Sequence, residues 1–404
     1  TDLGSTNVSV NLRDGVATYG SSKDSITAIE HLTMGNGTNL VQGNQSANSF
    51  VGGTGTDTLS YTGATAGITL NVTSNGAGTS TGDGADTFLN FENYILSDNA
   101  DTANLSGVYG STINAGALSD TVSYGTVGAA LTVTINSGNT SATVSDGTST
   151  DTLQNIEKII GGDGNDTFIV SNVTGIDTLD GDGGTNTLQL SGDIDLSDVV
   201  LLNFNNITVA NGDTLTLNAV NLDGKTMTIE LQGSGSLVIV GTTTATDFDF
   251  DNITINNTGA SQTGTTTLQL DATVNLVGHN INGTNNIIDK ILVNSGTVTL
   301  SESQVTSGTV VVNGAGSTVV EVSSSSSANY SSILQLTTPA NETVKFTGNS
   351  TFTGDFGNSN VVVNSGVTLT TTSSKTSGKS ITGAGNVTLT DSSVSVSNIN
   401  NVSA

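Results

Sequence analysis

The sequence predicts an all-β chain wound as a parallel β-solenoid, of the β-roll or β-helix kind. Three observations lead there. Two nine-residue stretches, 52–60 (GGTGTDTLS) and 161–169 (GGDGNDTFI), share the pattern G-G-x-G-x-D-x-U-x, where U is a large apolar residue. Short alternating strands recur at an interval of about 63 residues through the first half. The composition also suits a thin core: aromatics make up 4%, Trp is absent, and 50 Gly stand against a single Pro in 404 residues. A solenoid needs no thick core, because each coil buries its apolar face only against its neighbours. Two regions are expected: 1–204, carrying the Gly-Asp motifs, and 205–404, rich in Asn, Thr and Ser and poor in metal ligands.

The motif comes first. Glycines permit the positive φ values and close approaches of a tight loop whose carbonyls turn inward. The Asp adds a carboxylate, and an oxygen-only set of carbonyls and carboxylates suits a hard cation such as Ca2+. The apolar residue then opens a short strand with its side chain in the core. The expected metal-site residues are therefore Gly52, Gly53, Gly55 and Asp57 in the first motif, and Gly161, Gly162, Asp163, Gly164 and Asp166 in the second. A degenerate form at 81–89 (TGDGADTFL) keeps Gly82, Asp83, Gly84 and Asp86. Another at 181–189 has Asn186 where the carboxylate belongs, with Asp180 and Asp182 beside it. The alternative is a set of Gly/Asp turns between ordinary strands with no metal.

The repeat is the second element. Tyr61 and Tyr124, each preceded by Ser, are 63 apart, as are Asp57 and Asp120. Asp24, Asp86 and Asp151 each stand six residues before a Glu: Glu30, Glu92 and Glu157. The runs VSVNL (8–12), ITLNV (68–72) and LTVTI (131–135) keep the same phase, and their alternation fits strands with one buried face. Asp120 and Asp151 join the candidate ligands through this register. The three Glu read either as ligands from an adjacent coil or as solvated strand residues, and the second is preferred.

Charge narrows the function. The net charge is −27, from 35 acids against eight bases, and 22 of the acids lie in residues 1–204. Such a surface repels nucleic acid and anionic lipid, and bound divalent cations would relieve the self-repulsion. There is no Cys, so an extracellular chain of this kind needs a staple other than a disulfide, and calcium serves there. No apolar run is long enough to cross a membrane as a helix. The chain starts at Thr1, which reads as a piece of a longer protein.

Taken together, SYTGATAGITLNV, GDGADTFLNFENYILSDNADT and GGDGNDTFIVSNVTGIDTLDGDGG resemble the RTX-containing surface proteins of Gram-negative bacteria. These are large adhesins and S-layer proteins exported by type I secretion. The resemblance covers roughly residues 1–204. It implies a parallel solenoid that folds with calcium after export and resides at the cell surface, outside the outer membrane. The motifs here are spaced rather than contiguous.

In residues 205–404 short strands such as TLTL (214–217), MTIEL (227–231), LVIV (237–240), GTVTL (296–300), GTVVV (308–312) and GVTLT (366–370) follow one another between Asn/Gly/Ser turns. This suggests a β-helix, with a β-sandwich as the alternative. Asp247, Asp249 and Asp251 alternate with Phe248 and Phe250, which reads as a calcium site or as a solvated acidic edge that blocks aggregation. The serine run from Ser323 to Ser332 reads as a flexible loop.

Catalysis is not expected. His31 and His279 belong to no triad or metal motif, and Arg13 is the sole arginine, which argues against a β-helical polysaccharide lyase or epimerase. The TxT runs are too irregular for an ice-binding face. The expected function is a calcium-stabilised S-layer subunit that self-assembles through calcium-dependent contacts, with lipopolysaccharide or another surface glycan as a further partner. An RTX adhesin is the alternative.

Overall fold

A computed structural model describes residues 6–136, 141–241, 248–258, 263–282, 287–307 and 310–391. The chain divides into two compact units, Thr1–Thr208 and Val209–Ala404. Both are built of short strands in long, mostly parallel sheets, the all-β solenoid-like class that the sequence predicts.

In the first unit the 63-residue repeat has a clear structural meaning. Each copy opens with a three-stranded antiparallel meander: Val8–Asn11, Val16–Tyr19 and Ser22–Ser25; then Thr69–Ser74, Ala77–Thr81 and Ala85–Leu89; then Thr132–Ile135, Ser141–Ser145 and Thr150–Gln154. Single strands follow, alternating between two sheets. After the first meander come His31–Thr33, Leu40–Gln42, Ser49–Val51 and Thr58–Ser60. Counting the meander as one, a copy visits the sheets five times, so successive meanders fall in opposite sheets. Meanders one and three widen one sheet, and meander two widens the other. Each surplus is thus matched across the core by the next.

The single strands are three or four residues long, often Thr-apolar-polar, with the apolar residue inward as the period of two requires. Val41, Leu59, Leu70, Ile113, Val122, Leu153, Ile159, Phe168, Leu179 and Leu188 are all fully buried. Phe88 and Tyr94, on opposite sheets, meet with ring centroids 5.4 Å apart, which places the core between the sheets.

The second unit carries parallel pairings such as Thr214–Asn218 on Ser236–Gly241, and Ser317–Val322 on Glu342–Phe346. These replace the sandwich alternative, which would need antiparallel sheets. Phe248 and Phe250 are buried while Asp249 and Asp251 are exposed, as alternation predicts; Asp247 and the start of the 308–312 run lie outside the described residues. The serine run is not a loose loop. Ser326 bridges in parallel to Phe352, and Tyr330 is fully buried and stacks on that ring at 6.1 Å. One buried aromatic anchors an otherwise polar stretch.

Candidate metal centre: a ladder of buried carboxylates

The motif glycines sit where one coil rests on the next. Gly53 has φ +107°, and a Cβ there would lie 2.1 Å from the carbonyl oxygen of Gly35 in the preceding coil. At Gly162 it would lie 2.3 Å from the carbonyl of Val127. No side chain fits against those carbonyls. Gly52, Gly55, Gly82, Gly84, Gly161 and Gly164 also meet neighbouring carbonyl or carboxylate oxygens at positions a Cβ would fill. In the loop before Asp120, Leu118 stands in place of such a glycine, at φ +75° and exposed.

The motif carboxylates point inward, at the start of each strand. Asp57, Asp86, Asp120, Asp151 and Asp166 are buried, as is Asp101. Each accepts a backbone N–H from a neighbouring coil through Oδ1: Asn39 to Asp57 at 2.8 Å, Asn48 to Asp86 at 2.8 Å, Ile68 to Asp101 at 2.6 Å, Asp101 to Asp120 at 2.7 Å, Ser111 to Asp151 at 2.7 Å and Leu131 to Asp166 at 2.8 Å. The ladder continues through amides. Asn39 accepts from the Val8 N–H, and Asn186 from that of Asp166. Glu92 and Glu157 belong to it too, since their Oε2 atoms accept the N–H of Asp57 and Asp120 at 2.8 Å. They are half-buried rungs rather than solvated strand residues, because the strand start needs an acceptor from the next coil.

The second oxygens differ from rung to rung. Asp166 Oδ2 accepts the Gly162 N–H at 2.7 Å, inside its own loop. Asp86 Oδ2 accepts from the Tyr61 hydroxyl at 3.0 Å, with Ser80 beside it, and Asp151 Oδ2 accepts from Tyr124 at 2.9 Å. Ser97 closes the set around Asp101. Asp57 Oδ2 and Asp120 Oδ2 are buried with no hydrogen-bond partner.

Asn39 indicates what those two oxygens lack. At its rung the amide Nδ2 donates to the carbonyls of Gly35, Gly37 and Gly52 at 2.9–3.2 Å. Asn186 likewise donates to Gly183 and Asn203 at 2.9 Å. Where Asn gives a donor to a cup of carbonyls, Asp57 and Asp120 offer another oxygen. A Cβ on Gly52 would fall 2.0 Å from the Asn90 carbonyl and 2.9 Å from Asp57 Oδ2, so oxygens converge there. Burial raises the Asp57 carboxyl, with Glu92 adding repulsion, and pushes Asp120 up to about 7, with Asp101 and Glu157 contributing. An oxygen-only site that lacks a positive partner suits a hard cation. Among the described residues, no three His, Cys, Asp or Glu side chains lie together as a metal cluster, so backbone carbonyls would complete any shell.

The other expected ligands are placed differently. Asp83 is buried against the guanidinium of Arg13, seventy residues away in the chain, with its Oδ1 unpartnered. Burial raises the Asp83 carboxyl and Arg13 opposes this. Asp163 is exposed. Asp180 accepts from the Asp182 N–H and from the Asn203 amide. Partial burial, Asp180 and Asp163 together raise the Asp182 carboxyl. These four acids lie outside the ladder.

Sequence reasoning missed Asn39 and Asp101. A usable signal was present: an Asp or Asn followed by Thr and an apolar residue opens many ladder strands, as at Asp101-Thr102-Ala103 and Asn186-Thr187-Leu188. Comparison with protein-family models and with curated proteins finds no match.

Proposed function

We propose that this chain is a calcium-stabilised structural protein of the bacterial cell surface, a subunit of an S-layer lattice of the RTX-like kind exported by type I secretion. The observation that carries the reading is the pair of buried, unpartnered carboxylate oxygens, Asp57 Oδ2 and Asp120 Oδ2, one repeat apart in an acidic chain. Asp57 with Glu92, and Asp120 with Glu157, would hold the ions, together with loop carbonyls. Calcium at these places supplies the positive charge that the rungs lack. The chain's own residues stack the coils and keep water from the carboxylates. Self-assembly through calcium-dependent contacts and attachment to lipopolysaccharide or another surface glycan belong to the same reading. The regular succession of meanders also suits the stalk of an adhesin, which is the second reading. No catalytic role is proposed.

The test substitutes both aspartates. Asp57→Asn with Asp120→Asn gives each rung the donor that Asn39 and Asn186 already have. The melting temperature in chelator should rise, and the further increase produced by millimolar calcium should shrink. A full calcium response in the double variant would remove these sites from the proposal. Electron microscopy of the purified chain with calcium should reveal two-dimensional arrays. Persistent monomers would exclude the lattice role.

A further inference from the structure

The three copies of the repeat provide the same interface three times, and among the described residues only two of them are filled. In the second copy, the outer meander strand Ala85–Leu89 receives the parallel strand Ser49–Val51 from the preceding coil. The following strand, Asn93–Ile95, receives Thr58–Ser60. In the third copy, Thr150–Gln154 receives Thr112–Asn114, and Lys158–Ile160 receives Thr121–Ser123. In the first copy the equivalent strands, Ser22–Ser25 and His31–Thr33, are sheet edges among the described residues.

The side chains tell the same story. Phe88, Phe91 and Tyr94 in the second copy, and Leu153, Ile156 and Ile159 in the third, are buried. Their counterparts Ile26, Ile29 and Leu32 are only partly covered. Asp86 and Asp151 are buried and accept backbone N–H groups of the preceding coil, but Asp24 is exposed. Glu92 and Glu157 accept the N–H of Asp57 and Asp120, but Glu30 is exposed. The first copy thus keeps the apolar triplet and both acceptors, at the same spacing, with none of the described residues laid on them.

We propose that this face receives one more coil of the same repeat, lying N-terminal to the first meander in the same polypeptide. The occupant is defined by the two filled interfaces. It carries an apolar residue, six residues of any kind, then Asp-Thr-apolar-Ser, as from Phe50 to Ser60 and from Ile113 to Ser123. Its first apolar strand pairs in parallel with Ser22–Ser25 and gives a backbone N–H to Asp24. Its Asp-Thr-apolar-Ser strand pairs with His31–Thr33, and the N–H of that Asp goes to Glu30. The apolar residues of both strands cover Ile26, Ile29 and Leu32. Thr1 stands in phase with Tyr61 and Tyr124, so this coil meets Asp24 without the tyrosine bond of the other copies.

The experiment joins a copy of residues 106–123 directly ahead of Thr1, which keeps the phase, and compares melting with that of the ungrafted chain. The grafted chain should melt several degrees higher, and amides of residues 22–33 should exchange more slowly. Asp24→Ala with Glu30→Ala should abolish the gain in the grafted chain and leave the ungrafted chain unchanged, because both carboxylates are exposed there. Thr1→Tyr in the graft should add a further rise by completing the bond to Asp24. No gain from the graft, or a gain that survives the double alanine variant, would overturn the proposal. So would a concentration-dependent rise in the ungrafted chain that the same variants remove, since the face would then belong to a second copy.

Discussion

At the scale of single residues, the chain uses Asp and Asn interchangeably for one task and differently for another. Both accept the N–H that opens a strand in the neighbouring coil. Only Asn can also donate to loop carbonyls. A buried carboxylate is costly unless it is neutralised or paired, and the titration should record this. Burial pushes Asp86 up to about 6 and Asp120 up to about 7, against about 3.9 for an unfolded Asp. Between those values the folded chain binds more protons than the unfolded one, so stability falls as pH rises. The contribution is full below about pH 4 and is lost as pH passes through the folded values of about 6 and about 7. In chelator, melting followed by circular dichroism should therefore occur at a higher temperature at pH 5 than at pH 8. Asp120→Asn should flatten the slope. A melting temperature that climbs with pH would contradict this account of the rungs.

At the scale of elements, the meander is the unit that the repeat builds, and a buried tyrosine secures two of the three. Tyr124 donates to Asp151, and Tyr61 to Asp86, each joining one coil to the meander that follows. Tyr124→Phe leaves Asp151 Oδ2 buried without that donor, a loss of about 1–3 kcal/mol. Tyr61→Phe should cost less, because Ser80 still faces Asp86 Oδ2. Urea unfolding of the two variants measures the difference, and equal costs would show that Ser80 contributes nothing. The Ser-Tyr pairs and the Asp-x5-Glu spacing were legible as a repeat from sequence. That each Tyr meets the Asp of the next segment was not, because the partners lie 25 and 27 residues apart and come together only when the coil closes.

At the scale of the molecule, the two units solve the same packing problem with different polar chemistry. The first, with most of the acids, stacks its coils through carboxylate rungs. Among the described residues, the second uses the device more sparingly, as where Asp289 accepts the Thr266 N–H and Asn349 that of Thr368. Chelation should accordingly lower the β content and melting temperature of residues 1–204 far more than those of residues 205–404. Hydrogen exchange resolved along the chain would separate the two. Equal loss in both, or none, would refute a metal dependence confined to the acidic unit.

Several features are dictated locally and were legible in the amino-acid order. Short Thr-apolar-polar runs must be strands with one face buried, and the glycines must mark loops too tight for a side chain. The parallel, all-β, thin-cored class follows from these together. Tertiary structure alone decided the rest. The odd number of sheet visits per repeat sends successive meanders to opposite sheets, and no local preference records that parity. Closure of the coil brings Arg13 to Asp83, although Asp83 reads from its motif as a cation ligand. Within its own loop Asp166 gains a second donor from Gly162, whereas Asp57 Oδ2 and Asp120 Oδ2 are left without one. Identical motif letters thus acquire different chemistry, because the conformation of each loop and the coil stacked against it together choose the partners of its carboxylate.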